Sequence, residues 1–220
     1  MKKIQIFGDS IMKGVVYNEE MNKYSLCKDK LAVENAEITN RSKMGATIEY
    51  GMTSAIRHLH EYGSSSTVLL EFGGNDCNHK WDEVSEHPEL EHISFVPPRT
   101  FVEDYIKTIN ILKKAGAQVI VSTLPPISSE KFMNYLSRGL NFDNILQWLG
   151  SVEILSRRQQ EYSELAKRVA ERTGCKILPL REAAESLPGW EDMLCADGMH
   201  PSEAGYEYLH AFMADALAGA

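Results

Sequence analysis

The sequence lacks the closely spaced cysteines that a disulfide framework or a structural zinc site requires. Its four cysteines, Cys27, Cys77, Cys175 and Cys195, lie far apart, and no two of them form a CxxC pair. This spacing argues against both kinds of site, and it favours reduced thiols in a cytosolic protein. We expect Cys77 and Cys195 to be packing residues.

Long apolar runs and a surplus of basic residues are absent as well. After Lys2 and Lys3 the chain has only a short strand-like run, whereas a secretory signal needs ~7–15 apolar residues. No run approaches the ~20 apolar residues of a membrane span. The net charge of −8 argues against binding to a phosphate backbone, which needs clustered lysine and arginine. We therefore expect a cytoplasmic protein with no membrane span and no nucleic-acid partner.

What the sequence does have is a regular alternation of short β-rich runs with helical patterns over 220 residues. This length is typical of one domain, taken here as residues 1–220. Parallel strands need crossover connections, so the alternation predicts an α/β fold, a parallel sheet with helices on both faces. Strands are expected at Lys3–Phe7, Ala36–Asn40, Thr67–Phe72, Gln118–Thr123 and Lys176–Leu180.

Three helices have recognisable ends. The first is expected to begin with a capping box at Thr100–Glu103. Gly116 and Gly174 stand where glycines commonly end a helix, and Ser202 stands where a serine commonly begins one. The helices are expected over about 100–116, 155–174 and 202–217.

Two segments, residues 77–98 and 127–150, interrupt this alternation, and we expect both to be insertions at the ligand-binding edge of the sheet. The first carries His79, His87 and His92 among several acidic residues. Such side chains are able to ligate a metal. A solvated acidic loop is the simpler interpretation, and we predict no metal site.

The second insertion has apolar residues at helical spacing, which predicts two short amphipathic helices. One interpretation is that they cover the core or contact a second subunit in a homo-oligomer. The other is that they form an apolar wall for a substrate, since small-molecule sites are mostly apolar. On that second interpretation Phe142 and Trp148 contact the substrate.

Three short motifs carry residues suited to nucleophilic catalysis. Ser10 follows the first strand in GDS, Asn75 follows the third in GGND, and Asp197 and His200 precede the last helix in DGMHP. Each motif alone has an ordinary explanation as a turn or a helix cap. Together they supply a nucleophile, an amide donor for an oxyanion, and a base with a carboxylate to orient it.

These three motifs, in this order and spacing, resemble those of the GDSL/SGNH hydrolases over nearly the whole chain. The resemblance implies a three-layer α/β/α sandwich similar to flavodoxin, with a five-stranded parallel sheet. It implies that Ser10 is the nucleophile and that Asp197 and His200 are its partners. It also implies an oxyanion hole formed by the backbone N–H groups of Ser10 and Gly45 and the side chain of Asn75.

The implied activity is hydrolysis of a small-molecule carboxylic ester through an acyl-enzyme, with no cofactor. An O-acyltransferase with the same triad is one alternative, and a ligand-binding module without catalysis is another. Asp9, beside the nucleophile, is a further predicted substrate-binding residue. The sequence departs from the family at Ile11, where leucine is usual, and at Ser42, where glycine is frequent. The turn that holds Gly45 is therefore expected to differ from that of the family.

Overall fold

The computed structural model describes residues 2–64 and 66–219. The strands are β1 Lys2–Gly8, β2 Val15–Asn18, β3 Lys23–Leu26, β4 Ala36–Asn40, β5 Ser66–Glu71, β6 Gln118–Ser122 and β7 Lys176–Leu178. All the strands expected from the sequence are present, with their ends within two residues of the expected positions. The last one stops early because Pro179 follows Leu178 and has no backbone N–H to donate.

Five strands form one parallel sheet in the order β4-β1-β5-β6-β7. β1 lies between β4 and β5, with Ile6 opposite Asn40 on one side and Leu69 on the other. Because all five strands run in the same direction, their carboxyl ends meet at one edge of the sheet, where ligands bind in folds of this kind. The chain that follows β1, β4 and β5 is thereby brought to the same edge.

Helices cover both faces of the sheet, which makes the three-layer α/β/α arrangement. Alternate residues of a strand point to opposite faces, so Val68 and Leu70 pack into the helical layer on one face of the sheet while Leu69 packs into the layer on the other. The helices are α1 Ser10–Lys13, α2 Ile48–Arg57, α3 Trp81–Glu86, α4 Pro98–Lys114, α5 Ser129–Leu136, α6 Phe142–Leu149, α7 Ile154–Thr173, α8 Leu180–Ser186 and α9 Glu203–Ala218.

The expected capping box at Thr100–Glu103 is wrong. α4 begins at Pro98, so Thr100 already lies inside its first turn. Proline is favoured at the first helical position, since its fixed φ suits a helix and the N–H that it lacks has no partner there. The other expected ends are confirmed: Gly116 follows the cap of α4 with a φ of +92°, Gly174 ends α7 with a φ of +62°, and Ser202 caps α9.

The two insertions pack against each other and form a third apolar cluster beyond the sheet. The second insertion contains two amphipathic helices, α5 and α6, as predicted. Their buried faces meet α3 of the first insertion and the start of α7. The buried members of this cluster are Trp81, Val84, Phe132, Met133, Leu136, Ile145, Leu149 and Leu155.

The state of the cysteines agrees with the expectation drawn from their spacing. All four cysteines are free thiols, and Cys77 and Cys195 are buried, as expected for packing residues. In the part of the chain that the structure describes, no helix is long and apolar enough to cross a lipid bilayer.

Candidate active site

Ser10 stands where β1 ends and a single helical turn begins. The carboxylate of Asp9 caps this turn by accepting a hydrogen bond from the N–H of Ile11 at 2.8 Å. The turn ends at Gly14, which has a left-handed φ of +79°. Asp9 therefore does cap a helix, and the cap fixes the backbone so that Ser10 lies in the wall of a cavity at the sheet edge.

Ser10, His200 and Asp197 form one chain of hydrogen bonds. His200 Nε2 lies 2.9 Å from Ser10 Oγ, and His200 Nδ1 lies 2.6 Å from Asp197 Oδ2. Asp197 is fully buried, and His200 and Ser10 are 5% and 8% exposed. Since a carboxylate can only accept, Nδ1 carries a hydrogen and Nε2 is left to accept the serine proton.

The loop that carries Asp197 and His200 is closed by its own backbone. Leu194 and Pro201 form an isolated antiparallel bridge, and the N–H of Cys195 donates to the carbonyl oxygen of His200 at 2.8 Å. Asp197 Oδ1 accepts from the N–H of His200 at 3.1 Å. These contacts hold the imidazole at the sheet edge, although the loop lies more than a hundred residues from β5 in sequence.

The side chain of Asn75 is brought to the same edge after β5. Its Nδ2 donates to Asp9 Oδ2 at 2.9 Å and to the carbonyl oxygen of Ala46 at 3.1 Å. An amide nitrogen carries two hydrogens, so both have a partner in the free protein. Asp9, which we expected to bind substrate, lines the cavity but contacts Asn75 directly.

Two further buried carboxyl groups lie beside Asp9. Glu71, at the end of β5, is 1% exposed, and its Oε2 accepts from the N–H of Asp9 at 3.5 Å. Burial raises the pKa of Glu71 well above its usual range, and the charge of Asp9 raises it further. Burial also raises the pKa of Asp76 to about 7, while its Oδ1 accepts from the N–H of Ile48 at the start of α2. Adjacent carboxyl groups cannot all ionise at little cost, so protons remain in this cluster near neutral pH.

Two backbone N–H groups, at residues that line the cavity, have no partner among the described residues. No hydrogen bond runs from the N–H of Ser10 or Gly45 to any residue in the described ranges. Gly45 has a φ of +76°, a conformation that favours glycine. Both residues line the cavity with Asn75, so the predicted oxyanion donors lie around one space. The departure at Ser42 does not move Gly45 away from the site.

The cavity has a volume of about 200 Å³, and most of its wall away from Ser10 is apolar. Phe142 is 38% exposed and does not line the cavity, so the structure corrects our expectation that it contacts substrate. Phe142 is the first residue of α6, and the buried residues of this helix, Ile145 and Leu149, come one and two turns later. Trp148 also does not line the cavity but packs behind His79 and Trp81, which do. The apolar wall consists of Tyr24, Met44, Trp81, Leu124, Ile127, Phe132, Leu155 and Met199.

The acidic residues of the first insertion are exposed, as expected for a solvated acidic loop, but other residues of this insertion line the cavity. His79 and Trp81 are 6% and 9% exposed and form part of the cavity wall. Trp81 Nε1 donates to Asn78 Oδ1 at 2.6 Å, which ties the wall to the GGND segment. Within residues 2–64 and 66–219 no group of three metal-ligating side chains is close enough to hold an ion.

Sequence reasoning missed two contributors to the site, Tyr24 and Arg158. Tyr24 lies on β3 of the hairpin, and its ring centroid is 5.4 Å from that of His200 in an edge-on arrangement. Its hydroxyl meets that of Tyr135 on α5 at 2.8 Å. No motif marks either residue, since an exposed β-hairpin and an amphipathic helix are both common features.

A serine, a histidine and an aspartate joined in this way define the class of serine hydrolases. The comparisons with known proteins place the chain within that class. The model of the GDSL-like Lipase/Acylhydrolase family matches residues 6–208. The chain therefore belongs to this family and is an enzyme of the esterase or acylhydrolase type.

Solved structures share the fold at low sequence identity. A lipase/acylhydrolase from Enterococcus faecalis is 21% identical, with a TM-score of 0.65 over 100% of this chain and 96% of its own. A carbohydrate acetylesterase from Sinorhizobium meliloti is 15% identical, with a TM-score of 0.69 over 100% and 99%. An acetyl xylan esterase is 17% identical, with a TM-score of 0.62 over 98% and 99%. No curated protein sequence matches the chain.

Proposed function

We propose that the protein hydrolyses a small carboxylic ester through an acyl-enzyme formed on Ser10. The observation that carries this proposal is the hydrogen-bonded chain from Ser10 Oγ through His200 to Asp197, at 2.9 and 2.6 Å. A serine hydroxyl is a weak nucleophile unless a base takes its proton, and this geometry provides that base.

In the first step His200 Nε2 takes the proton of Ser10 Oγ while Oγ bonds to the ester carbonyl carbon. The carbonyl oxygen becomes an oxyanion, which the N–H groups of Ser10 and Gly45 and the amide of Asn75 stabilise. The carbon–oxygen bond to the alcohol then breaks, and His200 returns the proton to the leaving alkoxide. Water repeats the sequence on the acyl-enzyme and releases the acid and Ser10.

The size of the cavity favours a small substrate. Its volume of about 200 Å³ lies below the ~300 Å³ at which pockets for drug-sized ligands begin. A short acyl group fits such a space, whereas a long fatty-acyl chain would have to extend out of it. Two of the similar structures are named for acetyl esters, which is consistent with a short acyl group here.

The test combines covalent labelling with hydrolysis of p-nitrophenyl acetate. The wild-type protein should react with a fluorophosphonate probe, and Ser10→Ala should lose both the label and roughly 10⁴–10⁶ of kcat. Ser42→Ala is the matched control, because the buried Oγ of Ser42 has no hydrogen-bond partner within the described residues. It should keep both properties.

A Ser10→Ala protein that retained a tenth of the activity would exclude Ser10 as the nucleophile. Product analysis with an added alcohol distinguishes the acceptor. Free acid as the main product supports hydrolysis, and a new ester as the main product would instead indicate an acyltransferase.

A further inference from the structure

Arg158 lines the cavity that holds Ser10 and makes no ion pair with any of the described residues. It lies near the start of α7, is half-buried, and is the only lysine or arginine among the residues described as lining that cavity. In the described ranges no carboxylate oxygen lies within 4.0 Å of its guanidinium. Burial lowers the pKa of Arg158, and Glu161 on the same helix only opposes this from a distance. A charged group that is taken partly out of water loses solvation, and an anion beside it would compensate that loss.

Its neighbours hold the guanidinium in place. The guanidinium carbon lies 4.2 Å from the centre of the Trp148 ring, a stacked arrangement that leaves the N–H groups at its edge free. Nη1 lies 3.3 Å from Nε2 of His79. Trp148 thus acts behind the wall, by fixing the position of Arg158.

His79 accepts a hydrogen bond from Arg158 and helps to hold its guanidinium in place. A guanidinium only donates, so His79 Nε2 must accept from Arg158, and Nδ1 carries the hydrogen. Burial and the charge of Arg158 lower the pKa of His79 to about 4, which keeps the ring neutral at neutral pH. Nδ1 is buried and makes no hydrogen bond to the described residues. Nδ1 is closed off from the cavity, so His79 acts on the guanidinium and does not itself contact a ligand.

We propose that Arg158, held in place by His79 and Trp148, forms a subsite for a carboxylate carried by the ester substrate, an inference that rests on the proposed esterase function. A carboxylate is planar and accepts two parallel N–H groups of a guanidinium, and Arg158 has further N–H groups besides the one that faces His79 Nε2. The acidic side chains that line the same cavity, Asp9 and Glu71, follow β1 and β5 at the nucleophile. Arg158 belongs to α7, so the ester bond and the carboxylate of the substrate would lie against different walls of the cavity.

The carboxylate can lie on either side of the ester bond, and two substrate pairs distinguish the sides. On the acyl side, mono-p-nitrophenyl adipate is compared with p-nitrophenyl hexanoate. On the alcohol side, 5-acetoxypentanoate is compared with pentyl acetate. Within each pair only the terminal group differs, and uncatalysed hydrolysis is subtracted. The wild-type enzyme should have the higher kcat/KM for the charged member of one pair.

The variants test whether Arg158 causes that preference. Arg158→Met keeps the apolar stem, and it should lower the ratio of charged to uncharged kcat/KM by about 10- to 100-fold, as expected for loss of a charged hydrogen-bond partner. Arg158→Lys should keep part of the ratio. His79→Phe preserves ring packing and should lower the ratio by a smaller factor. A general effect of a substitution on the fold lowers the kcat/KM of both substrates in a pair, and it therefore cancels in their ratio.

The matched control is Arg157→Met, which removes the same charge one residue earlier on α7, where the side chain is exposed and does not line this cavity. It should leave the ratio unchanged. A wild-type enzyme without preference in either pair, or an equal ratio in Arg158→Met, would overturn the subsite while leaving the esterase function intact. An enzyme that cleaves no member of either pair would contradict both proposals.

Discussion

At the scale of single residues, the least obvious feature is that Asn75 is already occupied in the free protein. Its amide nitrogen donates to Asp9 at 2.9 Å and to the carbonyl oxygen of Ala46 at 3.1 Å. Asn75 can serve an oxyanion only by sharing or exchanging one of these bonds. The bond to Ala46 is the longer and goes to a neutral oxygen, so we expect that one to be exchanged. Asp9 then acts as a positioning residue that orients the amide.

Asn75→Ala should lower kcat by roughly 10²–10³ with little change in KM, since an oxyanion donor acts in the transition state. Asp9→Asn keeps an oxygen that caps the turn at Ile11 but replaces the acceptor of the Asn75 amide with an N–H group. It should cause a smaller loss, because this change acts through Asn75. The double variant should lose little more than Asn75→Ala alone, as expected for coupled residues. Steady-state kinetics of the three variants on one aryl ester measure this cycle.

Two results would contradict this interpretation. A change in KM alone for Asn75→Ala would make Asn75 a substrate-binding residue. Additive losses in the double variant would give Asp9 a role that does not depend on Asn75.

At the scale of elements, the loop that holds His200 depends on its contact with α5. The N–H of Ser128, before α5, donates to the carbonyl oxygen of Gly198 at 2.9 Å. Gly198 has a φ of +72°, and a Cβ there would lie 2.5 Å from the backbone nitrogen of Phe132. The second insertion therefore supports the catalytic loop from outside as well as lining the cavity.

Gly198→Ala should lower both kcat and the melting temperature, because the loop or α5 must move to accept the methyl group and His200 moves with it. Gly150→Ala is the matched control. Gly150 has a similar φ of +78°, but a Cβ there meets nothing within 4 Å. The Gly150→Ala variant should lose only ~1 kcal/mol of stability, the cost of an unfavourable backbone conformation, and it should keep the kcat of the wild type. Equal kcat in the two variants would show that the loop holds His200 without α5.

The helices and strands that were predicted correctly are those with a clear hydrophobic pattern in the sequence. The buried strands and α7 were recovered, because period and length both identify them. The β2–β3 hairpin was missed because its turn has no Asn-Gly or Asp-Gly pair, and three of the four residues of β3 are exposed. The start of α4 was misplaced because Thr100 and Glu103 fit a capping pattern two residues after the proline that begins the helix.

At the scale of the whole molecule, the buried acids link stability to pH. Glu71 has a raised pKa in the folded protein, whereas an unfolded glutamate titrates near ~4.3. Between these values the folded protein holds a proton that the unfolded chain has lost, so rising pH favours unfolding. Asp76 acts in the same direction up to about pH 7. His79, with a pKa lowered to about 4, has the opposite effect as the pH rises from 4 to ~6.5.

Glu71→Gln removes one of these contributions and leaves the others in place. The free energy of unfolding of this variant, relative to wild type, should increase above about pH 4.3 by up to ~1.4 kcal/mol per pH unit. Urea unfolding at several pH values measures the difference, in which the effects of Asp76 and His79 cancel. Glu91→Gln, an exposed change of the same charge, should run parallel to wild type. Parallel curves for Glu71→Gln as well would mean that Glu71 is ionised in the folded protein.

The sequence by itself determined the order of the strands along the chain, the family, and the positions of Ser10, Asn75, Asp197 and His200. It could do so because each of these residues directly follows a strand or precedes a helix, and parallel strands bring their carboxyl ends to one edge. The same logic could not identify what lies opposite that edge.

Only the tertiary structure decided which side chains surround the nucleophile. Arg158, His79 and Tyr24 come from α7, an insertion and a hairpin, and they meet through packing between segments far apart in sequence. Phe142 and Trp148 share α6 with buried residues, yet the packing of this helix leaves Phe142 exposed at its start and Trp148 behind the cavity wall. Helical periodicity indicates that a face is buried, whereas the partner of that face depends on how the elements pack in three dimensions.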